Sequence, residues 1–277
     1  MARVALATCA AHPLLDQDSA LLPPALAELG VLGVPEVWDD PGVDWAAYDL
    51  VVVRSTWDYT VRREEFLSWA AEVPRLLNPA PVLAWNSDKA YLQDLAAAGV
   101  PVVPTTYLAP GQDYDPPPGE VVVKPAVSAG ARDTERHADG RHGAALVARL
   151  HAQLRTAMVQ PYMAGVDQHG ETSVLLLDGE LSHGAGKAPL LPPPGVVVAS
   201  GVISAREPAP AQVAVAHAAL AAVPWDEPLL YARVDLVPGP DGAPVVIELE
   251  VIEPSLFLRW APGSAERFAR AVLRRLG

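Results

Sequence analysis

Four charged residues in the last fifth of the chain are spaced so that they could form one polar site. Arg233 and Asp235 lie two residues apart in the apolar segment YARVDLV, and Glu248 and Glu250 lie two residues apart in VVIELEV. Residues two apart on a strand point to the same face, and the PGPDG segment between the two runs predicts an antiparallel hairpin. Such a hairpin would bring Asp235, Glu248 and Glu250 together beside Arg233.

Three converging carboxylates repel one another unless a cation neutralises them. Carboxylate oxygens without histidine or cysteine are typical ligands of hard cations, so we expect Asp235, Glu248 and Glu250 to bind Mg²⁺ or Mn²⁺. A solvated sheet face is the simpler interpretation for any one of them, but the whole set with Arg233 favours the metal site. On this reasoning, Asp235→Asn removes a repelling charge and leaves the fold intact. Glu253 follows in the same apolar stretch, and a buried carboxylate needs a cation or hydrogen bonds.

Two lysines upstream could bind phosphate. Lys124 ends the apolar run EVVVKP and is followed by the small residues Ser128, Ala129 and Gly130. A turn of small residues exposes backbone N–H groups that can cradle a phosphate, although a lysine at a strand end is more often simply solvated. Lys89 is expected in the first turn of a helix. The chain lacks the glycine patterns of P-loop and Rossmann nucleotide sites around Lys124.

The length, net charge and cysteine content of the chain exclude several classes of function. The chain has 277 residues, a net charge of −13 and one cysteine, Cys9. An acidic chain without a basic cluster is not expected to bind nucleic acid, and a single cysteine excludes a disulfide framework and a multi-cysteine zinc site. We expect no membrane partner and a cytoplasmic location, because no apolar run approaches the length of a membrane span. A homo-oligomer stays open as an alternative to a monomer.

Alternating apolar runs and helical patterns predict the α/β class with a parallel sheet in the first third of the chain. Strands are expected at 3–8 and 49–55, with helices at 19–30 and 62–73 between and after them. Asn86 or Ser87 is expected to cap a helix that Gly99 ends. Later segments predict a hairpin around Asp178-Gly179 and helices at 142–155, 209–222 and 264–276.

The order of these motifs resembles the ATP-grasp superfamily of carboxylate-activating ligases. The matching series is NSDK, VVVKP, SAGARDT, VQPYM, GETSV, GAGK, RVDL and IELE, over about residues 86–255. No single piece is decisive, but the ordered series is specific. Glu250 stands where D-alanine–D-alanine ligases usually have asparagine, which leaves the number of metal ions open.

The resemblance implies a role for each matching residue. ATP would be bound by Lys89, Lys124, Ser128, Ala129, Gly130, Gln160, Pro161, Tyr162, Met163, Glu171 and Lys187. Within this set, Gln160 to Met163 would form the adenine hinge, and Glu171, or alternatively Asp167, would bind the ribose. Asp235, Glu248 and Glu250 would hold Mg²⁺, and Arg233 and Lys187 would be catalytic.

The fold implied by the resemblance has three lobes. These are a parallel α/β lobe at 1–85 that binds substrate, a central lid at 86–160 and an antiparallel-sheet lobe at 161–277 with the metal site. The implied activity is a ligase that converts an amino-acid-type carboxylate into an acyl phosphate and forms a C–N bond, releasing ADP and phosphate.

A closer resemblance is to the cycloserine synthetase-like branch of these ligases. It rests on WDDPGVDWAAYDL and VVVRSTWDY in the first lobe and on ELEVIEPSLFL near the end. The namesake closes O-ureido-serine to cycloserine with ATP, so intramolecular cyclisation is implied. Intermolecular ligation of a small amino-acid-like substrate and non-catalytic ATP binding stay as alternatives, although a non-catalytic relative would be expected to lose some of these charged residues.

The substrate contacts are expected in RSTWDY, at the carboxyl end of a strand where α/β sheets place ligands. Arg54 could bind a carboxylate in bidentate fashion, and Ser55 and Asp58 could bind an amino or hydroxyl group. The equally weighted alternative is a local network in which Trp57 simply packs under the loop.

Overall fold

The computed structural model describes residues 1–189, 191 and 202–277. Its first part is a parallel sheet in the order β2-β1-β3-β4, which confirms the predicted α/β class. The elements of this part are β1 (Ala2–Thr8), α1 (Leu22–Glu28), β2 (Val31–Val37), β3 (Leu50–Ser55), α2 (Arg63–Glu72), β4 (Leu76–Leu77) and α3 (Ala80–Asn86). Strand β2 was not predicted, because Gly33 and Pro35 weaken its pattern. It lies at the sheet edge, where a proline is tolerated.

The middle of the chain forms a second, antiparallel sheet in the order β5-β8-β6-β7. Its elements and the helices around it are α4 (Tyr91–Ala97), β5 (Thr106–Leu108), β6 (Val121–Pro125), β7 (Glu135–His137), α5 (Ala144–Ala152) and β8 (Ala157–Pro161). Leu146 and Leu150 of α5 pack with Val121, Val123 and Val159 in one apolar cluster. This small core positions Lys124 at the end of β6.

The last part forms a third, antiparallel sheet in the order β11-β10-β9-β12-β13. Its elements are α6 (Gly165–His169), β9 (Glu171–Leu177), β10 (Glu180–Lys187), β11 (Ile203–Ala205), α7 (Pro210–Ala221), β12 (Tyr231–Pro238), β13 (Pro244–Glu250) and α8 (Ser264–Leu276). Both predicted hairpins are confirmed, since β9 pairs with β10 and β12 pairs with β13 in antiparallel register. None of the helices in the described ranges is long and apolar enough to cross a membrane.

The predicted helix from Asn86 or Ser87 to Gly99 is wrong at its start. The segment forms two short helices, and Asn86 is the last residue of α3. Its side-chain amide donates to the Leu249 carbonyl at 2.8 Å and accepts from the Val251 N–H at 3.0 Å. Asn86 therefore satisfies the free edge of β13, whose backbone groups need partners. Gly99 does end the second helix, with a positive φ of 84°.

Helix α4 packs on the third sheet, although the predicted lobe boundary at 86 placed it with the lid. Leu92 and Leu95 lie in one apolar cluster with Val234 and Leu249. The Tyr91 hydroxyl also accepts a hydrogen bond from the Leu249 N–H at 2.9 Å. The division of the chain into three lobes stays a prediction.

Asn78 joins the first sheet to the third. Its side-chain N–H groups donate to the carbonyls of Tyr231 and Val251 at 2.9 and 2.8 Å. Its side-chain oxygen accepts from the Leu230 N–H at 2.8 Å. Asn78 is fully buried, so no water would be available to bond to these backbone groups if the side chain were removed.

We expect Asn78→Ala to lower the free energy of unfolding by about 3 kcal/mol or more, because each buried backbone group left unpaired costs about 1–3 kcal/mol. Denaturant titration followed by circular dichroism measures the change. The control is Gln168→Ala, an amide truncation at an exposed position. Equal stability of the two variants would contradict the junction role of Asn78.

Candidate active site

The pairing of β12 with β13 brings the four charged residues together as predicted. Asp235 lies opposite Glu248, and Arg233 lies opposite Glu250. One carboxylate oxygen from each of Asp235, Glu248 and Glu250 lies within 4.8 Å of the other two. All donors are carboxylate oxygens on a rigid sheet, so the geometry is compatible with a hard divalent cation.

Asp235 is held by cations of the protein itself. Its carboxylate accepts from Lys187 Nζ at 2.7 Å, from Arg233 Nη2 at 2.9 Å and from the Ser173 hydroxyl at 2.6 Å. Burial alone would raise the pKa of Asp235, but Arg233 and Lys187 outweigh it and hold the pKa well below its usual range. The expectation that Asp235 mainly suffers repulsion is therefore corrected: it is the centre of an ion-pair network.

The other two carboxylates differ in how well they are compensated. Glu248 pairs with Lys89 at 3.1 Å, and although burial opposes ionisation, Lys89 and Lys124 lower its pKa. Glu250 bonds to Arg233. Burial, with repulsion from Glu248 and Asp235, nevertheless raises the pKa of Glu250 to about 7. A further cation would complete the charge balance at Glu250.

The lysines of the cluster are also buried. Lys187 bridges Asp235 and Glu171, with both N–O distances at 2.7 Å. Burial lowers the pKa of Lys124 to about 8, because Glu248 compensates only part of the desolvation. Lys89 lies just before α4, and its Nζ donates to the Ser128 carbonyl. Lys89 and Lys187 are therefore oriented by the protein before any anion arrives.

A first cavity contains all eleven residues that the sequence predicts for nucleotide binding. The space between its walls, including the part that is open to solvent, measures about 880 Å³. Five apolar side chains that the sequence did not single out also line it: Val103, Val122, Val166, Leu191 and Ile247. Apolar walls with a polar, basic end suit a flat heterocycle that carries phosphates.

In the predicted adenine hinge, one backbone N–H group is available to a ligand. The Tyr162 N–H donates to the Glu120 carbonyl at 2.9 Å, and the Gln160 side chain donates to Thr105 at 2.8 Å. The Met163 N–H has no hydrogen-bond partner among the described residues. Met163 is therefore the hinge residue best placed to donate to a base.

Glu171 and its alternative Asp167 occupy different places. Glu171 lines the first cavity and pairs with Lys187. Asp167 pairs with both terminal nitrogens of Arg136 at 3.0 and 3.1 Å and accepts from the Tyr162 hydroxyl at 2.6 Å. The geometry thus favours Glu171 over Asp167 for a ligand contact.

A second cavity adjoins the first at the basic cluster. It measures about 1060 Å³, including the part that is open to solvent, and shares Lys89, Ser128, Ala129, Gly130 and Glu248 with the first cavity. The rest of its lining is Trp57, Tyr59, Asn86, Tyr91, Arg132, Arg233, Leu249, Glu250, Glu253 and Ser255. The shared residues therefore face both spaces.

The predicted substrate contacts of Arg54 and Ser55 are corrected, because neither residue lines these two cavities. Arg54 is 1% exposed and donates to the Pro254 carbonyl at 2.6 Å, while its guanidinium lies over the Tyr231 ring. Ser55 is fully buried and donates to Asp16 at 3.0 Å. The strand end where they lie is covered by the segment after β13.

Asp58 is also placed outside both cavities. It accepts from the Trp38 indole N–H at 3.0 Å and lies 3.5 Å from Arg62. From the same RSTWDY motif, Trp57 and Tyr59 do line the second cavity, although substrate contacts were expected only from Arg54, Ser55 and Asp58. The side chains of the motif that face the cavity are therefore the aromatic ones.

We expect Asp235→Asn to lower the free energy of unfolding of the ligand-free protein by about 3 kcal/mol, because breaking a buried ion pair leaves its cations uncompensated. Thermal and denaturant unfolding measure this change, with the exposed Asp226→Asn as the matched control. An unchanged or higher stability of Asp235→Asn would indicate instead that repulsion among the three carboxylates dominates in the ligand-free protein.

Comparisons with known proteins agree with this geometry. Residues 4–78 match a family model described as the N-terminal domain of D-cycloserine synthetase DcsG. The whole chain is 40% identical to the cycloserine biosynthesis protein DcsG of Streptomyces lavendulae, covering 100% of this chain and 99% of that protein.

Solved structures give the same result. The crystal structure of D-cycloserine synthetase DcsG superimposes with a TM-score of 0.92 at 40% identity, over 99% of this chain and 100% of the other. The D-alanine–D-alanine ligase of Bacillus anthracis, complexed with ATP, matches in fold with a TM-score of 0.69 at 14% identity, over 100% and 97% of the two chains. The chain therefore has the fold of the D-alanine–D-alanine ligase and belongs to the family that includes the cycloserine biosynthesis protein DcsG.

Proposed function

We propose that the protein uses ATP to activate the carboxylate of a small amino acid and closes a C–N bond within that molecule. The main support is that the two cavities share Lys89, the Ser128–Gly130 loop and Glu248. A terminal phosphate held by these groups would face a substrate in the second cavity. The relatives named for cycloserine synthesis make O-ureido-serine the first substrate to test.

The first cavity suits ATP. The Met163 N–H can donate to the adenine, and Glu171 can accept from ribose hydroxyls. Lys89, Lys124 and Lys187 converge on the end where phosphates would lie. Phosphoryl transfer depends mostly on positioning and on neutralising charge, and this end of the cavity provides both.

Asp235, Glu248 and Glu250 fit Mg²⁺ or Mn²⁺, given their all-oxygen donor set and their mutual distances. When bound, the metal ion would neutralise phosphate charge. The raised pKa of Glu250 marks a carboxylate that a divalent cation would stabilise in its ionised form.

The chemistry takes two steps. A substrate carboxylate oxygen attacks the γ-phosphorus, and the bond from phosphorus to the ADP oxygen breaks, giving an acyl phosphate. A nitrogen of the same substrate then attacks the acyl carbon, loses its proton, and the carbon–oxygen bond to phosphate breaks. With O-ureido-serine this nitrogen is the one bonded to oxygen, and hydrolysis of its carbamoyl group then releases carbon dioxide and ammonia.

The protein's own residues act on the charges of these steps. Arg233, in contact with Asp235 and Glu250, lines the second cavity and can stabilise the oxyanion that forms at the acyl carbon. The Ser128–Gly130 loop covers the junction of the two cavities and can exclude water from the acyl phosphate. Lys187 can compensate charge on the transferred phosphate.

The direct test mixes the protein with ATP, Mg²⁺ and each enantiomer of O-ureido-serine, and follows ADP and phosphate release with mass analysis of the product. The proposal expects release that depends on the substrate and a product with one substrate's carbon skeleton. A product that joins two substrates would show intermolecular ligation instead. ATP binding without turnover on any amino acid of a broad panel would contradict a catalytic role.

We expect Glu248→Gln to reduce turnover on the order of 100-fold or more, because it removes one charged ligand and one partner of Lys89 at the phosphate end. The matched control is Glu180→Gln, which changes an exposed glutamate on β10. Steady-state ADP release measures both variants. Turnover of Glu248→Gln near that of the control at saturating Mg²⁺ would refute the assignment of Glu248.

A further inference from the structure

Glu253 is a buried acid without a cation partner. It is 8% exposed and lines the second cavity. No side chain among the described residues donates a hydrogen bond to its carboxylate. Burial first, and repulsion from Glu250 second, raise its pKa to about 8. Because such a carboxyl group is costly to bury unpaired, its position on a cavity wall indicates a ligand.

Two aromatic residues lie on the same wall. The Trp57 indole N–H lies 3.4 Å from the Glu253 carbonyl, and its ring packs edge-on against His12 at 4.8 Å between centroids. Tyr59 is 6% exposed and packs against Phe66. Its pKa is raised first by burial and next by the charge of Glu253, and both residues line the second cavity.

A carboxylate beside aromatic rings has the chemistry of an ammonium site. Aromatic faces attract cations, and a carboxylate provides the opposite charge. The remaining lining of the cavity also supplies cations. Lys89 lies where the two cavities meet, and Arg132 and Arg233 line the second cavity alone, so a zwitterion could be bound at both of its ends.

We propose that Glu253, Trp57 and Tyr59 bind the α-ammonium group of the substrate, whose carboxylate lies towards Lys89 and Arg233. The inference rests on the proposed function, which assigns activation by ATP to the carboxylate at the other end of the substrate. It deepens that function by assigning the residues that recognise the free amine of the substrate, which must then be neither removed nor acylated. A site built for a charged donor rejects an analogue that lacks it, because its own polar group is then left unpaired.

The test compares two ligands that differ only in the amine. Calorimetry measures binding of O-ureido-serine and of its desamino analogue, 3-(ureidooxy)propanoate, to the protein with Mg²⁺ and a non-hydrolysable ATP analogue. Wild type should bind the amino acid about tenfold or more tightly than the analogue. Glu253→Gln, which keeps shape and removes charge, should bind both with nearly equal affinity. Glu253→Asp should recover part of the preference, and Glu180→Gln should keep all of it.

Specific outcomes would overturn the inference. One is that Glu253→Gln still binds the amino acid more tightly than the desamino analogue, as wild type does. Another is that Glu253→Gln loses affinity equally for both ligands, which a merely structural role would cause. Wild type that binds neither ligand also overturns it. Wild type that prefers the amino acid but does not turn it over leaves the ammonium site standing and contradicts the proposed function. If Glu253→Gln does not fold, the affinities of Glu253→Asp and Trp57→Leu for the two ligands are compared with those of wild type instead.

Discussion

The charge balance around Asp235 is the interaction on which the site depends. A carboxylate that is 1% exposed is stable only because Arg233 and Lys187 contact it directly. The same two cations also bind Glu250 and Glu171, so one network links four strands of the third sheet, β9, β10, β12 and β13. Lys89, Lys187 and all three predicted metal ligands are thus already paired within the protein.

The packing of the fold keeps this network in register. Strand β12 lies between β9 and β13, so Arg233 and Asp235 have fixed neighbours on both sides. Asn86 and Tyr91 bind the outer edge of β13, and Asn78 holds the first sheet to the third. The Tyr231 hydroxyl lies within 2.8 Å of the carbonyls of both Val53 and Ile252. The segment that carries Glu253 and Ser255 is thereby held against the end of β3, beside the second cavity.

Most of the fold could be predicted from the sequence because its signals are local, whereas the lining of the first cavity was implied by the resemblance to a known family. Strand periodicity fixes which face Arg233, Asp235, Glu248 and Glu250 share, and a short turn fixes their pairing. The roles of Arg54 and Asn86 could not be predicted, since they depend on contacts with Pro254 and Leu249, far away in the chain. Glu253 was visible as an acid in an apolar stretch, but the cavity that it faces is formed by residues from several parts of the chain.

Because the charged groups of the site pair with one another in the ligand-free protein, nucleotide and metal must replace these ion pairs with new ones when they bind. A phosphate that takes Lys89 leaves Glu248 uncompensated unless a metal ion arrives as well, so each ligand should favour the other. Affinity for a non-hydrolysable ATP analogue, measured with Mg²⁺ and with a chelator for wild type and Glu248→Gln, tests this most directly. Charge exchange predicts opposite effects: Glu248→Gln weakens binding with Mg²⁺ but strengthens binding without it, because Lys89 is then free for phosphate. Equal weakening in both conditions, or no change without metal, would contradict it.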